Sequence, residues 1–312
     1  MPSFPIVDIS SWEVVAPEVL GRNPKVWVRE PGGGSDRQRD WLFKPVVVAA
    51  NGHRQGEDWA EKIVSELGRS LGVPCAEVQL AVRAGVRGLI SRNVVPHGWN
   101  RVLGSVLLGT VVDGYQSTVI DVRGRERPVP GRPGHSVENV LVALRNCAPP
   151  EGSELDTGCA AFASYLLLDA WVANQDRHDQ NWAVLRKVTT PEPLRLAPSY
   201  DHASSIGFNL TDAKRRSLLD SSGVPHFAER GRAHRFEHEP GTPPSAIESL
   251  VGLARRAEAL ADGGKTVRDR LHAVRPEDLA AIVAGVPGLS DVTATFILEL
   301  LEVNRRRLLR EH

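Results

Sequence analysis

The early part of the chain is written in short apolar runs. Residues 25–29 (Lys-Val-Trp-Val-Arg) and 41–44 (Trp-Leu-Phe-Lys) are β-branched or aromatic and predict two strands, separated by the turn Pro31-Gly32-Gly33-Gly34-Ser35. From Glu57 the period lengthens. Ala60, Ile63, Val64, Leu67 and Leu71 recur three and four positions apart, which predicts an amphipathic helix ended by Gly72 and Pro74. Residues 76–82 and 87–95 read as two further strands. Residues 114–134 hold Gly, Pro and Arg without helical period and predict a loop or an exposed hairpin.

Helical patterns dominate afterwards. Ser136 stands as an N-cap before Val137, Val140, Leu141 and Leu144. Residues 155–173 are apolar nearly all round, as in a helix buried on every side, with Asp169 interrupting. Residues 182–185 and 194–197 predict a hairpin, and residues 221–244 a polar, Pro-containing gap. Ser245 and Glu248 have the spacing of a capping box before Leu250, Val251 and Ala254. Pro276 opens a short helix stopped by Gly285. A last helix carries Val292, Phe296, Leu300 and Leu301, then three arginines at 305–307 that suit the negative end of its dipole. No internal repeat is visible. The layout is α+β, a small strand-rich part followed by a larger helical one.

Composition narrows the classes. With 41% hydrophobic and 24% charged residues over 312 positions, wholesale disorder is excluded. The 38 basic residues balance 38 acidic ones, so the chain lacks the footprint of a general nucleic-acid binder. Cys75, Cys147 and Cys159 are odd in number and lack CxxC spacing, which argues against a disulfide framework or structural zinc and fits a reducing compartment. The opening Met1-Pro2-Ser3-Phe4-Pro5 lacks the charged and apolar regions of a signal peptide. Residues 160–173 fall short of the ~20 apolar positions a membrane span needs. The expectation is a cytoplasmic protein with no membrane association.

Chemistry concentrates where the buried helix ends, in Asn174-Gln175-Asp176-Arg177-His178-Asp179-Gln180-Asn181. Polar groups crowded against a core are costly unless they satisfy one another or bind something. After the predicted hairpin comes Pro198-Ser199-Tyr200-Asp201-His202-Ala203-Ser204-Ser205. Buried helix, Asp-x-x-x-x-Asn loop, hairpin, second Asp is the order that phosphoryl transfer on a kinase scaffold needs. One carboxylate takes the hydroxyl proton, while an amide oxygen and another carboxylate hold Mg²⁺ on the nucleotide phosphates. Only six of the basic residues are lysines, and Lys44 is one of them.

On these features the chain resembles the HipA-like kinases, a bacterial branch of the protein-kinase-like fold. The resemblance rests on Asn174-x-Asp176-x-x-x-x-Asn181, Leu196-Ala197-Pro198-x-Tyr200-Asp201, Phe43-Lys44-Pro45, Glu61 on a helix ending Leu71-Gly72-Val73-Pro74, and Asn304-Arg305-x-Arg307-Leu308-Leu309 in the last helix. It implies a bilobal fold, with residues 1–95 as a nucleotide-binding N-lobe and residues 96–312 as a helical C-lobe holding a catalytic loop at 174–181 and a metal motif at 198–205. It implies Asp176 as catalytic base, Asn181 and Asp201 as Mg²⁺ ligands, and Lys44 as an ATP-phosphate contact. Glu61 becomes the partner of Lys44, with Glu57 one turn earlier competing for that place. His178 is expected to brace the loop, His202 to be structural, and Ser204 and Ser205 to satisfy backbone groups. ATP and Mg²⁺ are the implied cofactors and a protein Ser or Thr the implied acceptor; an antitoxin or other regulatory partner is left open. The chain departs from the major kinase class in reading Asp201-His202-Ala203 for Asp-Phe-Gly. Gly32 to Gly34 is the nearest candidate for a phosphate-covering loop, without G-x-G-x-x-G spacing.

Plainer readings stand beside these. Asp176 and Asn181 suit a helix end and an Asx-turn, and Lys44 an ordinary edge strand. Asp169 could simply accept backbone or arginine hydrogen bonds. Arg230, Arg232 and Arg235 suit a solvated surface, or a contact with an acidic substrate or RNA. Three other functions remain open at this point. Asp-Arg-His-x-x-Asn also resembles the catalytic loop of phosphoinositide-type kinases, which would mean a lipid or small-molecule hydroxyl. A non-catalytic pseudokinase is the second. The third is a metal phosphohydrolase using His178-Asp179 with His135 and Asp201, which would place that dipeptide within a helix and give Lys44 no role.

Overall fold

A computed structural model describes residues 3–18, 24–32, 37–261 and 265–310. Strands β1 (Ile6–Asp8), β2 (Glu13–Glu18), β3 (Lys25–Arg29) and β4 (Asp40–Pro45) precede helix α1 (Glu57–Leu71), and β5 (Val78–Arg83) and β6 (Val86–Arg92) follow it. They form one six-stranded sheet in the order β1-β5-β6-β4-β3-β2. β1 joins β5 in parallel and the other pairs are antiparallel.

Alternation along the strands assigns the two faces. Val28, Trp41, Phe43, Ala81 and Ile90 pack with Ile9 on one of them. Leu80 turns to the other, into the core with Ala60, Ile63 and Leu67 of α1. Lys44 lies opposite Leu89, and Leu89 opposite Leu80, so Lys44 shares the face that looks onto α1. α1 ends at Gly72, whose φ of 68° is one a side chain would resist.

The helical part begins after β7 (Trp99–Leu103) with α2 (Gly104–Leu108), the hairpin β8 (Thr118–Ile120) and β9 (Glu126–Pro128), α3 (Val137–Leu144) and α4 (Gly158–Trp171). β10 (Ala183–Lys187) and β11 (Arg195–Leu196) form the expected hairpin, and β7 adds to it as a third strand. Helices α5 (Asp212–Asp220), α6 (Val224–Glu229), α7 (Leu250–Leu260), α8 (Lys265–Ala273), α9 (Pro276–Ala284) and α10 (Asp291–Leu309) follow. α4 is the axis of this body, buried at every position except Cys159. Thr157 caps it by accepting the Ala160 amide at 3.0 Å. α10 fastens its far end: Trp171 Nε1 donates to the Leu301 carbonyl and Asn304 Nδ2 to the Trp171 carbonyl, each at 3.1 Å.

Several local expectations need correction. The Ser245–Glu248 capping box does not form. Pro243 and Pro244 set up a short 3₁₀ turn at Pro244–Ala246, and the chain then runs extended to bridge Ser249 with Arg232. Ser249 caps α7 instead, accepting the Gly252 amide at 3.0 Å, while Glu248 pairs with Arg256. The gap read at 221–244 contains α6, and α5 lies just ahead of it. The strand expected over 87–95 stops at Arg92, where the Asn93 amide turns to the Asp40 carbonyl at 3.0 Å. Gly33 and Gly34 lie outside the described residues, and Gly32 sits in the turn after β3. No helix among the described residues is long and apolar enough to cross a membrane.

Candidate active site

Lys44 reaches from β4 into a cluster of two carboxylates. Its Nζ donates to both oxygens of Glu61 at 3.1 Å and to Asp201 Oδ1 at 2.8 Å. Glu57, the competitor, turns elsewhere and accepts the Val47 amide at 2.7 Å. One helical turn thus separates the partner of Lys44 from a loop anchor. Burial opposes the lysine charge, but Asp201 and Glu61 outweigh it and hold the pKa above the ordinary lysine value. Burial also pushes Glu61 up, with Lys44 pulling against it. At Asp201 burial is overcome by Lys44 and Lys25, so its carboxyl stays below the usual range. Asp201 has a left-handed φ of 62°, a conformation that costs a non-glycine residue on the order of 1 kcal/mol.

The 174–181 loop leaves α4 through Ala173, also left-handed at φ 57°. Beneath it lies a closed buried network. Arg177 Nε and Nη2 hold Asp169 at 2.7 and 2.8 Å, and Asn174 Nδ2 donates to Asp169 Oδ1 at 2.7 Å. Arg177 Nη1 donates to the Asn181 carbonyl at 2.7 Å, and its Nη2 also reaches Ser199 Oγ at 2.9 Å. Ser199 Oγ shares a hydrogen bond with His202 Nε2 at 2.8 Å. Burial, with the nearby Arg177 charge, keeps His202 well below the ordinary histidine pKa.

Above the network stand the polar residues of the loop. Asp176 donates its amide to Asn174 Oδ1 at 3.1 Å, and its carboxylate Oδ1 accepts Arg235 Nε at 2.7 Å with Nη2 in ion-pair contact at 2.6 Å. Asn181 Nδ2 donates to the Asp176 carbonyl at 2.8 Å, tying the two ends of the loop together. His178 Nδ1 accepts the Gln180 amide at 3.2 Å. Ser205 does not satisfy a backbone group: its buried Oγ has no hydrogen-bond partner among the described residues.

A cleft opens between the first sheet and the loop. Lys25, Lys44, Asn181 and Asp201 line its polar side, and Leu42, Val94 and Leu103 its apolar side. Asp176 does not line this cleft and is joined to it through Asn181. The Asn181 amide and the Asp201 carboxylate offer hard oxygen donors, which suit Mg²⁺. Among the described residues no three His, Cys, Asp or Glu side chains converge into a metal cage. Mg²⁺ carried on phosphates uses one or two carboxylates and keeps several waters, so it needs no such cage.

The phosphohydrolase reading finds no such arrangement. His178 and Asp179 lie in a loop. His135 spends Nδ1 on the Arg235 carbonyl at 2.7 Å and accepts Trp182 Nε1 on Nε2 at 3.2 Å, which leaves no lone pair for a metal. Asp179 accepts the Tyr115 hydroxyl at 2.6 Å. The arginine cluster is corrected too. Arg230 is exposed, but Arg232 donates its amide to Gln175 Oε1 at 3.1 Å and its guanidinium to the Ile247 carbonyl at 3.3 Å. Arg235 sits on Asp176, across 59 positions of sequence, and no local pattern marks it.

No curated protein sequence matches the chain. The family model described as the HipA-like C-terminal domain matches residues 18–259. Among solved structures, the Helicobacter pylori proinflammatory kinase CtkA superposes with a TM-score of 0.64 at 14% identity, over 97% of this chain and 95% of that one. HipA of Shewanella oneidensis MR-1, solved with HipB and operator DNA, superposes at 0.47 with 15% identity, over 95% of this chain and 66% of that one. At such identities the CtkA likeness speaks for the fold, a strand-rich N-terminal sheet against a helical C-terminal body. The family model spans most of the chain, and on that ground the protein belongs to the HipA-like kinase family.

Proposed function

We propose that the protein is an ATP- and Mg²⁺-dependent kinase that transfers the γ-phosphoryl group to the hydroxyl of a protein Ser or Thr in the cytoplasm. The observation that carries this reading is the meeting of Lys44, Asn181 and Asp201, from three distant segments, on one cleft, with Asp176 one hydrogen bond away. In this reading residues 1–95 bind the nucleotide and residues 96–312 present the acceptor. Lys44 contacts the phosphates as a point charge, and Glu61 keeps it in place and protonated. Asn181 and Asp201 hold Mg²⁺, which when bound neutralises charge on the phosphate oxygens. Asp176 orients the acceptor hydroxyl and takes its proton. The hydroxyl oxygen bonds to the γ-phosphorus as the bond to the ADP oxygen breaks, and ADP leaves.

Calorimetric titration of ATP, first with Mg²⁺ and then with EDTA, tests the nucleotide half of the proposal. Binding that needs Mg²⁺ is expected, and no binding in either condition by folded protein would overturn it. Asp176→Ala tests the chemistry. It should abolish transfer from labelled ATP while leaving nucleotide affinity within about twofold, and undiminished turnover would remove Asp176 from the mechanism.

A further inference from the structure

We propose that Arg235 is a positioning residue for Asp176, holding one carboxylate oxygen so that the other faces the acceptor hydroxyl; this rests on the reading of Asp176 as the base. The guanidinium meets Oδ1 twice, through a hydrogen bond from Nε at 2.7 Å and an ion-pair contact of Nη2 at 2.6 Å. Oδ2 has no hydrogen-bond partner among the described residues, and the side chain is 31% exposed, open to an incoming substrate. Charge-assisted contacts of this length fix a rotamer as well as a charge. The tether therefore leaves one acceptor oxygen in a defined direction.

Arg235 is itself held on both sides. Its carbonyl receives His135 Nδ1, and His135 Nε2 accepts from Trp182, the neighbour of Asn181 in sequence. The ring of Phe236 stacks on His135 with centroids 4.5 Å apart. Three positions earlier, the Arg232 amide grips the Gln175 side chain. Residues 232–236 thus form a strap that touches the loop at Gln175 and Asp176 and its far end through Trp182. An ordinary exposed ion pair would contribute little, and nothing would require this chain of contacts to close on the loop. Arg132 is a second cation whose field reaches Asp176, but it donates no side-chain hydrogen bond among the described residues. Loss of Arg235 therefore removes the fork while some positive field remains.

The test is a double-mutant cycle read by ADP production, with dephosphorylated casein or water as acceptor. Arg235→Ala should lower kcat by ten- to a hundredfold, the scale of a misaligned reacting group, while the affinity for Mg²⁺-ATP stays within about twofold. Arg235→Lys, which keeps the charge and loses the fork, should recover part of the rate. In an Asp176→Asn background, where the neutral amide leaves only a residual rate of ADP production, Arg235→Ala should lower that residual rate no further, because the group it positions is gone. A crystal structure of Arg235→Ala should show the Asp176 carboxylate displaced. An unmoved carboxylate, an unchanged kcat, or an equal loss in both backgrounds would overturn the inference while leaving the proposed function standing. Full turnover in Asp176→Asn alone would overturn the proposed function and the inference with it.

Discussion

Beneath the 174–181 loop, the Arg177 and Asp169 side chains are 3% and 2% exposed, and four hydrogen bonds from the guanidinium go to three fixed protein partners. Across the cleft, Lys44 offers a point charge to Glu61 and Asp201, and Asp201 is 31% exposed. Both clusters balance charge out of water, yet they differ in what can replace a partner. The Arg177 fork matches its acceptors in geometry as well as charge, and no ligand can enter without dismantling the loop. The lysine can exchange one carboxylate for a phosphate oxygen and keep the other. Under the proposed function the first cluster is scaffold and the second machinery, and substitutions should separate them.

The largest stability effect is expected below the loop. Arg177→Ala strands Asp169 in the core and should lower unfolding free energy by about 3–5 kcal/mol in a urea titration. A loss below about 1 kcal/mol would dissolve the contrast. Asp201→Ala should instead spare the fold and remove Mg²⁺-dependent ATP binding, so unchanged affinity would end its role as a ligand. Lys44→Met should cut transfer by more than tenfold, about 1.4 kcal/mol of activation energy. It also leaves Glu61 buried without its cation, so adding Glu61→Leu should restore stability without restoring turnover. A double variant as unstable as Lys44→Met would show that the cluster is scaffold after all.

The smallest effect concerns pH. Burial holds His135 down at about 4, against ~6.5 for a free histidine. As pH falls below about 6.5 the unfolded chain takes up a proton that the folded chain refuses. The stability tied to His135 is therefore complete above that point and is lost on the way down to about 4. Denaturation midpoints at pH 7, 6 and 5 should decline with a slope of at most ~1.4 kcal/mol per unit from this residue. His135→Asn should flatten that slope, and an identical slope in the variant would reassign the effect.

Much of this was legible in sequence because local spacing encodes it. The Asp176–Asn181 interval and Asp201 beyond a hairpin can be read without coordinates, as can the apolar face of α1. The resemblance favours Glu61 over Glu57 as the partner of Lys44, but both lie on a similar face, and the register of α1 against β4 decides between them. Asp169 reads as an acceptor for backbone or arginine groups without a choice between them, and its partner in Arg177 depends on how the loop folds back under itself. Arg235 reads only as a member of an arginine cluster, and its partner is illegible for a stronger reason. Its contact spans 59 positions and comes from a stretch with neither helical nor strand period. α5 was missed because its face is mostly charged, with Arg215 its only buried residue. Ser249 displaced Ser245 as a cap because a distant bridge to Arg232 keeps the intervening residues extended.

The clasp between α4 and α10 has a consequence for how the protein is made. Trp171 donates to a carbonyl 130 positions later, and Asn304 returns the bond. A ribosome adding ~5–20 residues per second makes the segment bearing Asp176 and Asn181 roughly 6 to 25 seconds before it makes Asn304. During this interval α4 lacks its α10 contacts at Trp171, just ahead of the 174–181 loop. That end of α4 therefore gains its anchor only after Asn304 has been made.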